Sequence, residues 1–267
     1  DSLTANDAAI QADLPVAEDK TAQTCNVMHY LKEAGIPVAY VIRNDKTSFI
    51  AKKCEMIPIE CVIRRQPFGS YFKRYPEMKH GEKKIFNPPL TEFFHKHAVV
   101  VQSETPQMMS EDTARSLFLK DGKWTGEVYT DPLIEIHEDS WLLYPPKQPK
   151  HETSLISPTL PLMNIRPVID SLTLEYIRNT LMIPCFEVLE KAWKKFDVVL
   201  VDMKIEIGIV EENKELVIAD VIDNDSWRIW PNGDPKQQLD KQSFRDGESL
   251  TSIQDKYRIV TEYIKQF

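Results

Sequence analysis

The chain has 267 residues, 42% of them hydrophobic and 28% charged, with a formal net charge of −8. That balance buries a core without staples. It argues against nucleic acid as a partner, because such binding depends on Lys and Arg meeting phosphates. No apolar run reaches the length of a membrane span, and the chain as written opens on no charged-then-apolar leader. Cys25, Cys54, Cys61 and Cys185 have the spacing of neither a zinc site nor a disulfide framework. They read as small buried hydrophobes in a reducing, cytoplasmic compartment. The 8 glycines form no Gly-rich phosphate loop of either common type.

In chain order, Asp1–Ala9 is short and polar. Ala22, Cys25, Met28 and Leu31 recur at helical spacing and predict a helix over 20–34, stopped by Gly35. Strands are predicted over 36–42 and 48–52, around an Asn44-Asp45-Lys46 turn. The run from Cys54 to Arg65 is strand-like on both sides of Pro58, which cannot donate to a ladder. A strand leaving one sheet for another at Pro58 would mark a domain boundary, dividing the chain into 1–57 and a larger part, 58–267. Next, Arg64-Arg65-Gln66-Pro67-Phe68-Gly69-Ser70 and Lys73-Arg74 combine a Gly-Ser turn with two basic pairs. The turn's N–H groups and the Ser70 hydroxyl can cradle a phosphate that Arg64 grips, the alternative being a basic surface patch. From about 104 to 167 the chain reads as an irregular excursion or lid, proline-rich toward its end, with short strands around 124–129 and 141–144. A long helix follows from a cap at Asp170 or Ser171 to Lys195, kinked at Pro184. The last helix carries Ile253, Tyr257, Val260, Ile264 and Phe267 on one stripe, which is core packing.

The segment between those helices carries the most chemistry. Val199–Gly208 and Leu216–Ile222 read as the arms of a β-hairpin joined by Glu211-Glu212-Asn213-Lys214-Glu215. Alternation puts Val201, Met203, Ile205 and Ile207 on one face and Asp202, Lys204 and Glu206 on the other. Symmetric pairing about Asn213 sets Glu206 opposite Asp220, and two carboxylates about 5 Å apart repel. A hard divalent cation holding a phosphorylated substrate relieves that repulsion. The bland alternative is a solvated face. The polar run Asp223-Asn224-Asp225-Ser226-Trp227-Arg228 favours the metal or phosphate reading.

Several motifs in order then support a family. Cys54–Glu60 through Arg64, with Gly69-Ser70 and Lys73-Arg74, resembles the central motif of SAICAR synthetases (phosphoribosylaminoimidazole-succinocarboxamide synthases). Val201–Glu206 and Ala219–Trp230 resemble two further motifs, in wording nearest to the synthetase half of the animal bifunctional enzymes. Asp240–Arg245 is similar to the C-terminal motif. The resemblance covers the chain apart from 104–167. It implies an α+β, two-lobe fold of the ATP-grasp or kinase-like kind, with a small β-rich N-terminal lobe and a larger C-terminal lobe on an antiparallel sheet. It implies an ATP-dependent ligase of purine biosynthesis that joins carboxyaminoimidazole ribotide to L-aspartate, with ATP and Mg2+ as cofactors. By the same resemblance, Glu206 and Asp220 are magnesium ligands and Lys204 neutralises phosphate charge beside them. Arg64, Ser70 and Arg228 bind the ribotide, and Asp202 lies close to the reacting groups. Met56 marks the hinge whose backbone meets adenine, and Lys120 lies near the nucleotide. Lys241 and Arg245 belong to the amino-acid end. Thr4 and Asp7 resemble a family loop in which Asn6 stands where glycine is usual.

The family opens with a Tyr-x-Gly-Lys-x-Lys loop that clamps ATP phosphates, and this chain begins after it. The expectation is that the loop lies upstream of Asp1. Nothing after Phe267 in the chain as given resembles a carboxylase domain. Partners are expected to be small molecules, neither nucleic acid nor membrane, with a homo-oligomer left open. Two alternatives stand beside this reading: another ATP-dependent small-molecule kinase or ligase on the same scaffold, and a non-catalytic relative without the phosphate loop.

Overall fold

The computed structural model describes residues 2–5, 10–78, 84–102, 105–149, 160–239 and 247–267, and for 2–5 and 10–13 the backbone alone. The chain opens with an antiparallel pair, β1 (Ser2–Ala5) and β2 (Ile10–Asp13), then α1 (Ala17–Glu33). Helix α1 begins three residues ahead of the predicted start and stops before Gly35, whose φ of +81° suits glycine. β3 (Tyr40–Arg43) and β4 (Phe49–Ala51) form a hairpin, and β5 (Cys54–Arg64) runs through Pro58 without interruption. The strand predicted from Ile36 starts only at Tyr40. Its upstream residues are drawn elsewhere: Ala39 N–H donates to Ile218 O at 2.8 Å, and Ile218 N–H to Pro37 O at 3.0 Å.

Then come α2 (Ser70–Arg74), β6 (Leu90–His95), β7 (His97–Val101), β8 (Gln107–Ser110) and α3 (Glu111–Phe118). β9 (Leu119–Lys120), β10 (Lys123–Trp124), β11 (Glu127–Tyr129), β12 (Leu133–Ile136), β13 (Trp141–Tyr144) and β14 (Met163–Ile165) follow. The described part of the predicted irregular excursion is therefore built of short strands and one helix. The long predicted helix is present in three parts: α4 (Ser171–Tyr176), a π-helical segment (Ile177–Met182) and α5 (Ile183–Lys194). Asp170 caps it, accepting from Thr173 N–H at 2.9 Å. The widened turn lies directly upstream of Pro184, whose ring crowds the carbonyl of Thr180 four residues back. β15 (Val198–Val210), β16 (Leu216–Ile218), β17 (Trp227–Pro231) and α6 (Leu250–Ile264) complete the chain.

The chain divides into two units, Asp1–Ile57 with Tyr176–Phe267, and Pro58–Glu175. In the first, β16 and β17 flank β15 antiparallel, and Trp193 of α5 is fully buried edge-on to Trp227 and Phe267, with ring centroids at 5.3 and 5.0 Å. The stripe of α6 is buried at Ile253, Tyr257, Val260 and Ile264, as its spacing predicts. In the second unit, strands run antiparallel in the order β14-β13-β12-β6-β5, and a smaller sheet runs β11-β7-β8. The fold is α+β, as expected.

One expectation fails. Ile207 pairs with Ile218, Gly208 with Val217 and Ile209 with Leu216, and Ala219 N–H donates to Glu206 O at 3.0 Å. Glu206 therefore faces Ala219, not Asp220. The turn is the cause. Val210 N–H bonds Glu215 O and Lys214 N–H bonds Val210 O, leaving a four-residue loop, 211–214, with Lys214 at φ 60°. An even loop centres the hairpin between two residues, which slips the register by one.

Candidate active site

In the first unit the site is built on β15. Val198–Leu200 pair with β17 in one register and Asp202–Met203 in another, so Val201 is a β-bulge. The bulge shifts the core-facing positions from Val198 and Leu200 to Val201, Met203, Ile205 and Ile207, all at most 2% exposed. It also sets Asp202 directly opposite Arg228. Arg228 Nη1 donates to Asp202 Oδ2 at 2.7 Å and to Oδ1 at 2.9 Å. Asp202 and Glu206 are buried and Lys204 half-buried, so this face is not the solvated one that a lone hairpin would carry.

The polar run before Arg228 proves to be a pinned turn. Asp223 N–H donates to Ser226 Oγ, and Ser226 N–H to Asp223 O. Asn224 N–H donates to Gln23 Oε1 at 3.0 Å, and Asn224 Nδ2 to Leu239 O at 2.8 Å. Asp225 accepts from Lys20 Nζ and from the Tyr257 hydroxyl, each at 2.7 Å. Burial pulls the Lys20 ammonium down, but the Asp225 and Asp223 carboxylates outweigh it and hold its pKa above the ordinary value. The turn is thus fixed by α1 and α6, and it fixes the start of β17. Sequence reasoning missed Lys20, Gln23 and Tyr257. Only Tyr257 left a signal, as a polar tip on the buried stripe.

In the second unit Arg64 and Glu92 share one face of the β5–β6 pair, since Val62 pairs with Glu92 and Arg64 with Leu90. Arg64 Nε donates to Glu92 Oε2 at 2.6 Å. Arg74 donates through Nη2 to the other carboxylate oxygen, and through Nη1 to Ser70 Oγ at 3.1 Å and Pro146 O at 2.9 Å. Arg64, Arg74 and Glu92 are 3, 0 and 8% exposed. Burial alone would raise the Glu92 carboxyl, but the Arg64 and Arg74 charges and hydrogen bonds hold it below the ordinary carboxylate range. Glu92 escaped sequence reasoning, although a single acid before Phe93-Phe94 in an apolar strand was its signal.

Met56 lies on β5 in the first unit, 42% exposed. Lys120 lies exposed on the β9–β10 hairpin of the second. Thr4 lies in β1 opposite Gln11. Asp7, Lys241 and Arg245 lie outside the described residues. Among the described residues no group of three or more His, Cys, Asp or Glu converges as a metal cage. Glu206 is buried on β15 and Asp220 half-buried two residues beyond β16, and the register does not set the two opposite each other.

A sequence model of SAICAR synthetases matches residues 1–123 and 163–263. The chain belongs to the SAICAR synthetase family. Its SAICAR synthetase relatives include the bifunctional phosphoribosylaminoimidazole carboxylase/phosphoribosylaminoimidazole succinocarboxamide synthetase of Homo sapiens, 36% identical over 253 residues, which are 94% of this chain and 48% of that protein. The phosphoribosylaminoimidazole-succinocarboxamide synthase of Chloroflexus aurantiacus is 33% identical over 268 residues, covering 98% of this chain and 84% of its own. The chain spans about half the length of the bifunctional relatives it matches. A solved SAICAR synthetase in complex with ADP superposes with a TM-score of 0.66 at 22% identity, over 100% of this chain and 88% of that one, a likeness of fold.

Proposed function

We propose that this protein is an ATP-dependent carbon–nitrogen ligase that joins carboxyaminoimidazole ribotide to L-aspartate, giving SAICAR, ADP and phosphate in purine biosynthesis. The observation that carries the reading is the pairing of the buried Asp202 with the half-buried Arg228, set by the Val201 bulge, with Lys204 and Glu206 following on the same face of β15. The named activity of the relatives and the ADP bound to a solved one support it.

The chemistry follows from what these groups can do. Arg64, Ser70 and Arg228 each contact an oxyanion group of the ribotide, its phosphate or its carboxylate, arginine suiting bidentate oxyanion contacts. The ribotide carboxylate oxygen attacks the γ-phosphorus of ATP, and the bond to the β-phosphate oxygen breaks. The aspartate amine then attacks the activated carbonyl carbon, inorganic phosphate leaves and the amine nitrogen gives up a proton. Asp202, beside the reacting groups, orients Arg228, and Lys204 neutralises phosphate charge. Glu206 and Asp220 would hold magnesium, which when bound offsets the charge on the transferring phosphoryl group. The Met56 backbone meets adenine and Lys120 lies near the nucleotide. Lys241 and Arg245 serve the amino-acid end, and Thr4 and Asp7 form the adjoining loop. A cytoplasmic location and small-molecule partners belong to the same reading.

The test is ADP release by full-length protein. It should require ATP, magnesium, L-aspartate and the carboxylated ribotide together, and Glu206→Gln should lower kcat by about 100-fold, as for loss of one group that stabilises charge in the transition state. Turnover of ATP without aspartate, or indifference to Glu206→Gln, overturns the proposal.

A further inference from the structure

Arg64 and Ser70 are each held by a buried charged side chain, Arg64 by Glu92 and Ser70 by Arg74. Glu92 takes the Nε edge of Arg64 at 2.6 Å, and its second oxygen takes Arg74. A guanidinium is planar, so fixing one edge fixes the direction in which the rest of the plane presents its donors. Arg74 in turn donates to Ser70 Oγ at 3.1 Å, one helical turn earlier in α2. A hydroxyl that accepts from a guanidinium keeps its own proton to donate to an oxyanion.

Arg74 is itself locked. It is fully buried and lies over the Phe94 ring at 5.4 Å and the Tyr71 ring at 6.0 Å. Its Nη1 also donates to Pro146 O, while its Nε has no partner. Pro146 belongs to residues 124–162, the stretch between the two family-matched segments. A buried carboxylate is costly unless it is paired and hydrogen-bonded. Here one carboxylate serves two guanidiniums, and the cluster keeps a net charge of +1 beside the Ser70 hydroxyl.

We propose that Glu92 and Arg74 are positioning residues for ribotide binding: Glu92 sets the plane of Arg64, and Arg74 carries that frame to the Ser70 hydroxyl, with the Pro146 carbonyl closing it. This rests on the ligase reading, in which Arg64 and Ser70 face the ribotide.

The experiment uses full-length protein and three variants, with KM and kcat for each substrate and a thermal melt. Glu92→Gln keeps the shape and removes the charge. Glu92→Gln with Arg74→Met restores the net charge of +1 but not the frame, and it replaces a buried ion pair with apolar packing that cores accept. Glu92→Asp keeps the charge and withdraws it by one methylene. For the first two, the ribotide KM should rise about tenfold or more, as for a lost charged hydrogen bond. The values of kcat and of KM for ATP and aspartate should stay within about threefold, and Glu92→Asp should fall between. A purely structural role would move the melt and leave the ribotide KM alone, and a ribotide KM within twofold of wild type in any folded frame variant overturns the proposal. Wild-type protein that shows no heat of binding with the ribotide sinks the ligase reading and this inference with it, a result distinguishable from loss confined to the variants.

Discussion

At Arg228 a single guanidinium joins the fold to the proposed chemistry. Its Nη1 meets both carboxylate oxygens of Asp202, a residue 3% exposed, while its own side chain stays 19% exposed. Lysine keeps the charge but loses the fork. Arg228→Lys should therefore lower kcat/KM by about 100-fold, a loss of about 2.7 kcal/mol in transition-state binding. The melting temperature should move by only a few degrees, since Asp202 keeps a cationic partner. Steady-state kinetics beside a thermal melt check this, and equal losses of activity and of fold would count against a functional role. The sequence named both residues of this pair but not their pairing, because the Val201 bulge leaves no compositional trace. It likewise displayed Arg74 in a basic pair without showing the carboxylate that neutralises it. Glu92 is 18 residues away in sequence, on β6, and only the packing of α2 against that strand brings the two together.

At the scale of the element, β15 combines three features that periodicity renders unequally. Its alternation was fully legible, and the buried series Val201, Met203, Ile205 and Ile207 follows it. Its register was not, because the loop length turned on the left-handed Lys214, and lysine gives no warning of a positive φ. The third feature is Gly208. A Cβ there would stand 2.7 Å from Cys54 Cβ, 2.9 Å from Ala219 Cβ and 3.2 Å from Met56 Sδ. The first two atoms are fixed to backbone and cannot swing aside, so this is a glycine that β5 and the residue after β16 close upon from two sides. Gly208→Ala should cost about 1–3 kcal/mol by overpacking. In a chain of this size that is a fall of roughly 2–10 °C in melting temperature. Adding Ala219→Gly removes one of the two collisions and should return part of the loss. A Gly208→Ala melt that overlays wild type would show that the strands part more easily than these distances imply.

Over the whole molecule, stripes and alternation identified α1 and α6 as separate amphipathic helices but could not show that they meet. That contact includes hydrogen bonds between residues 234 and 238 positions apart, Gln23 Nε2 donating to the Tyr257 backbone carbonyl at 3.0 Å and to Thr261 Oγ1 at 3.1 Å. One residue equally silent in the sequence bears on acid stability. His95, at the end of β6, is 1% exposed, its Nδ1 accepts from His97 N–H at 3.0 Å, and its Nε2 has no partner. Burial, with a smaller contribution from the His97 charge, lowers its pKa to about 4. The folded state therefore keeps a neutral imidazole while the unfolded chain takes up a proton below about 6.5. Stability is full above that pH and falls as the pH drops through the interval from 6.5 to 4, by at most about 1.4 kcal/mol per pH unit. Below 4 both states carry the proton and this contribution stops changing. Glu92 acts in a separate and lower window, because its lowered pKa costs stability only once the pH falls below the ordinary carboxylate value. His95→Asn retains an acceptor for His97 N–H and removes the titrating group. Denaturant titrations at pH 6.5 and 4.5 should show wild type losing about 2 kcal/mol more than this variant across the interval. Parallel losses in the two proteins would assign the acid sensitivity to other groups.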